Sequence, residues 1–579
     1  VSEEAGFSKL RLSARKGDRR LLKGYGPLAA LLVAFVLMAW LVPTVAPTQD
    51  VVHETRDVPA TGSGTGTSTA TTVPGATGSA GTAGTAGTSG SSGSGAAPVT
   101  QGQATGKTSA CPNGQTQQVP GDPYSPPCTV FTGSNGGATS PGVTASTITL
   151  SYRFTADSAS FQQTLASLGG ASITETNADT ERTINALVAY FNSHYQFYGR
   201  KIAVDFFNGQ GSETDELQGE GQQEADADAV TVAQSIHAFG ELNGTTEPYD
   251  VALAGQKVMS FGAPYLSADF MGQYAPYMWS IDTESNQVVQ AAGEFVIKSL
   301  CGGDAAYAGG SLQGQPRKFA IIAPSNPYYQ SAANSGVAQA AAANCPVTDN
   351  IAYQLNFGTI SSQAATIVSK LQADGITTVE CGCDPITLIF LTARAAEQGY
   401  DPEWVEVGVV LDDSDIVGQL FDQAEWSHAF GITFAGPIQP EEQTFGYAAY
   451  KEEDPTTEPG VEVDLFYEQL LQIAIGLQMA GPDLTPTNFE NGMRAYPGSQ
   501  ANASNALYGT WDFPAGHFTP QMDSAIIYWN PNKISTYNDK QGAYVLASPR
   551  YLPGAYPKGP PPLPSDFPIT PTNPGTAGS

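Results

Sequence analysis

Thr147-Ile-Thr-Leu-Ser-Tyr-Arg-Phe154 reads as a buried β-strand. β-Branched and aromatic side chains dominate it, the residues that pack best on a pleated surface. Downstream, Ile184, Leu187, Val188 and Phe191 recur at helical spacing, which predicts a helix over 180–198. Gly199 ends that helix, and Arg200-Lys-Ile-Ala-Val-Asp-Phe-Phe207 supplies the next strand. Strand, helix and strand in this order form the crossover unit of a parallel sheet.

The alternation continues along the chain. The acidic stretch Glu213–Asp228 leads into a helix ending near Ile236, followed by a strand over His237–Asn243. Thr245-Thr-Glu-Pro248 opens a helix over 249–259, with Thr246 or Glu247 as its cap and Pro248 in its first turn. Gly262-Ala-Pro-Tyr-Leu-Ser267 is the next expected strand; placing it at Tyr249–Ala254 instead would break the alternation. A second run begins after Ile281–Glu284. Its strands are expected at 318–323, 350–355, 377–383 and 404–411, and its helices at 287–300, 331–342, 361–374, 385–398 and 415–423. Past Gly431-Ile-Thr-Phe434 the pattern turns irregular, a long helix spans Val463–Met479, and strands return at Asp523–Tyr528 and Ala543–Leu546. Two α/β runs of similar size with a return segment predict two lobes sharing a multi-strand hinge.

The flanks are of another kind. No residue from Gly24 to Gln49 is charged, and Pro27 to Ala46 is almost wholly apolar. That just reaches the roughly 20 residues a membrane-crossing helix needs. Residues 1–24 hold seven Lys/Arg against three acids. The basic side is therefore expected inside, with a single-pass anchor at 25–47 and the rest extracytoplasmic. A cleaved signal peptide shares this pattern, with Thr44-Val-Ala46 as its small-residue site, but Pro47 would follow the cut. Residues 48–141, rich in Gly, Ser, Thr and Ala, are expected to form a flexible tether, and 549–579 a disordered Pro-rich tail. The net charge of −30 repels phosphate backbones, which argues against a nucleic-acid partner. Six cysteines in an exported chain suggest bridges. Their order pairs Cys111 with Cys128 and Cys301 with Cys345, leaving Cys381 and Cys383 as a third bridge or as two free thiols.

Several passages then match a known pattern in order and spacing. They are Ile148-Thr-Leu150, Tyr195-Gln-Phe-Tyr-Gly-Arg-Lys-Ile202, Val230–Asn243 and Ala263-Pro-Tyr-Leu-Ser267. Tyr277-Met-Trp-Ser-Ile281 and Ala320-Ile-Ile-Ala-Pro-Ser-Asn-Pro-Tyr-Tyr329 continue the series. Across 142–547 the chain resembles the type I periplasmic binding proteins, specifically the branched-chain amino acid (Leu/Ile/Val) receptors of ABC importers. The resemblance implies two Rossmann-like lobes, the first from 142–282 and 436–525, the second from 283–435 and 526–548. It also implies a monomeric, non-catalytic receptor without cofactor, closing on a small polar solute and passing it to an ABC permease. The sequence departs from the family in three places. A membrane helix replaces the usual lipidated Cys, Phe161–Asp179 extends the first strand-end loop, and the acidic stretch Gly436–Glu458 could reshape the pocket.

In open α/β sheets, ligands sit beyond the carboxyl ends of strands. That rule selects Arg153, Thr155 and Asp157, then Thr245 and Thr246, then Ser267 and Asp269 in the first lobe. In the second lobe it selects Asn326, Tyr328 and Tyr329, then Asp384, then Asp412 and Asp413. Arg153 facing the cleft would imply an anionic solute, whereas Arg153 paired with an acid such as Asp157 would not. Thr245 and Thr246, or Asp412 and Asp413, could equally cap helices. Catalytic signals are poor. The five histidines His53, His194, His237, His428 and His517 are scattered, and none lies in a metal spacing. Asp226-Ala-Asp228 reads as a solvated helix face rather than a Ca²⁺ site, and Cys381-Gly-Cys383 lacks the two-residue spacing of a redox pair. A sensor of the same fold acting through a partner, and a tethered cell-wall enzyme, are the rival readings.

Overall fold

A computed structural model describes residues 111, 114–160, 163, 175–436, 438–499 and 509–572. The expected anchor at 25–47 and the tether up to residue 110 lie outside the described residues. Among the described residues, no helix is long and apolar enough to cross a membrane.

Two sheets organise the chain. The first holds β1 (Thr147–Phe154), β2 (Lys201–Asn208), β3 (Gly240–Glu241) and β4 (Met259–Ser260), all parallel in the order β2-β1-β3-β4. Helices α1 (Asn177–His194), α2 (Glu213–Leu217), α3 (Gln222–Thr231), α4 (Glu247–Gly255) and α5 (Ala268–Gln273) alternate with them or follow. The expected strand at 262–267 is not a strand. Helix α4 stops at Gly255, earlier than the periodicity suggested, and Met259–Ser260 takes the sheet position instead.

The second sheet begins after α6 (Ser285–Phe295). It comprises β5 (Phe319–Pro324), β6 (Val347–Tyr353), β7 (Thr378–Cys381), β8 (Glu403–Glu406) and β9 (Ala429–Thr433), parallel throughout. Between them run α7 (Pro327–Ala342), α8 (Ile360–Ala373), α9 (Pro385–Gln398), α10 (Asp415–Gly418) and α11 (Gln423–Trp426). The return strands β10 (Ala525–Ile534) and β11 (Gln541–Leu546) add antiparallel at one edge, giving the order β11-β10-β9-β8-β7-β5-β6. The sheet is therefore mixed.

Each sheet has its own core. Ile148 and Leu150 of β1 meet Ile184, Leu187 and Phe191 of α1 and the long helix α13 (Val463–Ala480). That helix is buried on nearly every face, with Glu468, Gln469, Gln472 and Gln478 buried among its apolar side chains. Between β9 and α13, helix α12 (Phe445–Glu453) packs on α1, and α14 (Pro486–Ala495) packs on α13. Both faces of the second sheet are covered: Ile322, Val379 and Trp404 face one core, and Phe319, Val405 and Phe430 another. The chain thus passes between lobes near 281–284, 434–445 and 518–525.

Both flanks are more ordered than composition implied. Cys111–Cys128 is bridged, and Asp122 inside that loop accepts hydroxyl hydrogens from Tyr195 (3.3 Å) and Tyr467 (3.0 Å). Residues 114–141 therefore belong to the first lobe's surface rather than to the tether. Cys301–Cys345 and Cys381–Cys383 are also bridged.

The Pro-rich tail, expected to be disordered, packs on the second lobe through residue 572. Glu294 accepts from the Gly554 and Tyr556 amides (2.6 and 3.0 Å), while Lys298 donates to the Gly554 and Tyr556 carbonyls. Phe567 stacks edge-on against Tyr307, Phe430 and Tyr528. Proline lowers the entropy lost when an extended segment docks, and the buried aromatics supply the contact. Phe567→Ala is expected to destabilise the protein by about 3 kcal/mol, as for other buried Phe truncations, measured by denaturant unfolding. A variant as stable as the parent would contradict the packing.

Candidate functional site

The site is built on a buried arginine. Arg153, near the end of β1, is wholly buried and forks onto Glu216 of α2, with Nη1 and Nη2 at 2.8 and 2.7 Å from its two oxygens. Nη1 also reaches Asp228 of α3 at 3.2 Å, and the guanidinium lies 3.5 Å over the Tyr249 ring. Thr246 donates its hydroxyl to Glu216, and the Gln210 and Gly211 amides donate to Asp228. A Cβ at Gly209 would fall 2.4 Å from Asp228, and one at Gly211 would fall 2.1 Å from Glu216, so these positions admit no side chain. Arg153 therefore faces its own lobe, not the cleft, and its partners are Glu216 and Asp228, not Asp157. Asp228 is a buried ion-pair member rather than part of a solvated face.

Pinned by Glu216, α2 projects between the lobes. Glu213 at its start faces a chamber of about 310 Å³ bounded by β1, α13 and the loop at 242–245. Leu217 and Gln218 at its end touch the second lobe. Asn326 donates to the Leu217 carbonyl at 2.9 Å, and Asn356 donates to the Gln218 side chain at 3.1 Å. The Val410 amide donates to the Tyr265 hydroxyl at 2.6 Å across the same gap. Val410 and Leu411 were expected to continue a strand, but β8 ends at Glu406. Both residues have positive φ (51° and 62°), rare for such side chains, and both line the first chamber.

A second chamber of about 420 Å³ adjoins the first, and Glu213, Thr245, Gly262, Tyr265, Asp282 and Val410 line both. Its other walls are largely apolar, among them Val289, Ile322, Phe357, Val407 and Val409. The acids at these chambers are hard to ionise. Burial pushes the Glu213, Asp282, Glu462 and Glu380 carboxyls up to about 7, and raises Glu175 as well. Arg153 opposes this at Glu213, and Tyr265 opposes it at Asp282.

Of the residues chosen from strand ends, Thr155 lines the first chamber and Thr245 both, with the Thr245 hydroxyl unpaired. Tyr329 and Asp384 line the second. Asp384 is also the cap of α9 and accepts from Tyr353 at 2.7 Å.

The others lie elsewhere. Asp157 accepts from Ser212, Glu213 and Thr214 and fixes the start of α2. Thr246 precedes α4, but its hydroxyl serves Glu216 rather than the helix. Ser267 caps α5, and Asp269 is exposed on its first turn. Asn326 bridges the lobes, and Tyr328 packs on Tyr329 outside the chamber walls. Asp412 is buried with neither carboxyl oxygen paired, and its ionisation is suppressed by burial. Asp413 accepts from Thr433 beside a separate cavity. Neither caps α10, because Ser414 does. The acidic 436–458 stretch contributes no described residue to either chamber.

Glu213, Asp282 and Glu462 were missed. Each opens a helix or sits at a lobe crossing, and the crossing at Ile281–Glu284 was a usable signal because hinge strands border any interlobe gap.

A family model described as periplasmic binding protein matches residues 165–535, more than half of the chain. The chain belongs to the periplasmic binding protein family. Members of this family bind solutes and are not enzymes. The binding protein is also similar in fold to several solved structures. A solute-binding protein of an ABC transporter from Rhodopseudomonas palustris, solved with 3,4-dihydroxybenzoic acid, is 13% identical with TM-score 0.48, over 70% of this chain and 98% of that one. A fatty acid ABC transporter substrate-binding protein from Thermomonospora curvata is 16% identical with TM-score 0.49, over 73% and 97%. A Leu, Ile, Val, Thr and Ala-binding protein from Brucella ovis is 14% identical with TM-score 0.46, over 71% and 97%. No curated protein matches the sequence.

Two outcomes follow for the binding protein. Arg153→Met would strand Glu216 and Asp228 without a cation, which costs about 3–5 kcal/mol for a broken buried pair. Denaturant unfolding measures it, and a neutral substitution would refute the assigned role.

The second concerns pH. Carboxyls such as Glu213, Asp282, Glu380 and Glu462 ionise near ~4 when unfolded but at about 7 when folded. Between those values the folded chain holds more protons, so stability is greatest below the unfolded pKa and is lost as pH rises through 7. Without ligand, the melting temperature is expected to be higher at about pH 5 than at about pH 8, by calorimetry. The reverse order would show that these carboxyls are not buried as described.

Proposed function

We propose that this protein is an extracytoplasmic solute-binding receptor of an ABC importer, held at the membrane by the helix at 25–47 and a flexible tether. Its ligand is a small molecule taken into the gap between the lobes. The observation that carries this reading is the pair of joined chambers between two separately packed sheets, bridged by contacts from α2. Asn326 to Leu217, Asn356 to Gln218 and Val410 to Tyr265 all cross the gap, and all would separate if the lobes swung apart. Binding then shifts an open–closed equilibrium, with closure favoured by contacts available only when both lobes meet the solute. The anchor fits a receptor that must stay near its permease.

The test is small-angle X-ray scattering of the full chain across a metabolite library. At least one solute is expected to compact the protein. Asn326→Ala should then weaken that solute's binding roughly 3- to 10-fold, the equivalent of one hydrogen bond in the closed state, without touching it. No compaction by any solute would overturn the receptor reading.

A further inference from the structure

We infer that the solute is an amphipathic organic cation, with its ammonium group in the acidic chamber and its apolar body in the adjoining one. This deepens the receptor reading and rests on it. The sign of the cleft comes first. Glu175, Glu213, Asp282 and Glu462 line the first chamber, Glu380 and Asp384 the second, and among the described residues no Lys, Arg or His lines either. Arg153, the cation nearest to Glu213, is turned away and engaged by Glu216 and Asp228. An anionic head would therefore meet carboxyl groups and no cation, whereas a cation would supply the charge these carboxyls lack.

A second observation is independent of the acids. Gln469 is 7% exposed and lines the first chamber. It donates to the Leu242 carbonyl at 2.6 Å and the Phe261 carbonyl at 2.9 Å, which fixes the amide. Thr155 is 5% exposed at the same wall, and its hydroxyl finds no partner among the described residues. Tyr152, 8% exposed, lines this wall as well. The Tyr152, Phe154 and Phe466 rings border the same space, and aromatic faces attract ammonium groups. Among the described residues, no group of three or more acidic, His or Cys side chains is arranged to hold a metal ion.

The second chamber sets the rest of the molecule. Its wall of Val289, Ile322, Phe357, Val407 and Val409 offers almost nothing for a polar group to bond. An alkyl or aryl body fits there, while its charged end passes Thr245 and Asp282 into the acidic side.

Isothermal titration of the full chain with hexyltrimethylammonium, tetramethylammonium and hexanoate tests this. Hexyltrimethylammonium should bind saturably and tetramethylammonium about tenfold more weakly or less, because it lacks the tail; hexanoate should not bind. Glu213→Gln and Glu462→Gln should each weaken hexyltrimethylammonium about tenfold or more. Scattering gives the distinguishing arm. Compaction by some other solute, with no response to the cation, overturns this inference and leaves the receptor standing. Binding of hexanoate in place of the cation, or unchanged cation affinity in both variants, also overturns it.

Discussion

A single guanidinium organises the functional half of this molecule. Arg153 is wholly buried, and a charge out of water is tolerable only when it is paired; both Nη atoms are engaged, and Nε alone has no partner among the described residues. Glu216 meets it with both oxygens, Asp228 closes one side, and the Tyr249 ring covers a face. Each partner comes from a different helix. The fork therefore holds α2, α3 and α4 in one arrangement around the end of β1. Helix α2 is only five residues long, too short to persist by its own hydrogen bonds. Its place between the lobes depends on Glu216, and so do the position of Glu213 and the reach of Leu217 and Gln218 across the gap.

Where repeated apolar spacing was strong, the sequence could be read almost directly. Helix α9 runs over the residues its pattern indicated, and α1, α8 and α13 deviate by a few residues at their ends. Strand β1 is legible for the same reason, because its residues face packed neighbours on both sides of the sheet. The failures share a cause. Strands β3 and β4 are two residues each, shorter than any period can register, and their order is set by neighbours distant in sequence. The tail misled because composition reports the entropy of the free segment. The pairing of its Gly554 and Tyr556 amides with Glu294 is a tertiary fact.

The site was legible by position but not by identity. Strand ends did point to the cleft, since Thr155, Thr245, Tyr329 and Asp384 line it. Yet polar residues at strand ends have many local uses, and Asp157, Ser267 and Thr246 are engaged in fixing helices or in the arginine cluster. The carboxyls that give the cleft its sign come from helix starts, from the crossing at Asp282 and, for Glu380, from β7. No local pattern separates an acid facing a cavity from one facing solvent. Arg153 illustrates the hazard most clearly. In sequence it left open both an anionic ligand and a pairing with an acid, and its burial against Glu216 and Asp228 decides for the pairing.

The packed flanks bear on how the lobes can move. The stapled segment is fastened to the first lobe through Asp122 and through Gln478, which donates to the Pro127 carbonyl at 2.8 Å. The Pro-rich tail is clasped by Glu294 of α6 and by Phe430 of the second. The stapled segment rides with the first lobe, whereas the tail also grips the crossings: Arg550 donates to the Phe434 and Ala435 carbonyls (2.8 and 2.6 Å) and to Asp523 (2.7 Å). Swinging the lobes leaves the Asp122 clasp intact but works against the bonds of Arg550 at the crossings. The mechanical cost of opening falls on the crossings and on the bonds that Leu217, Gln218, Tyr265 and the Pro264 carbonyl make over the divide.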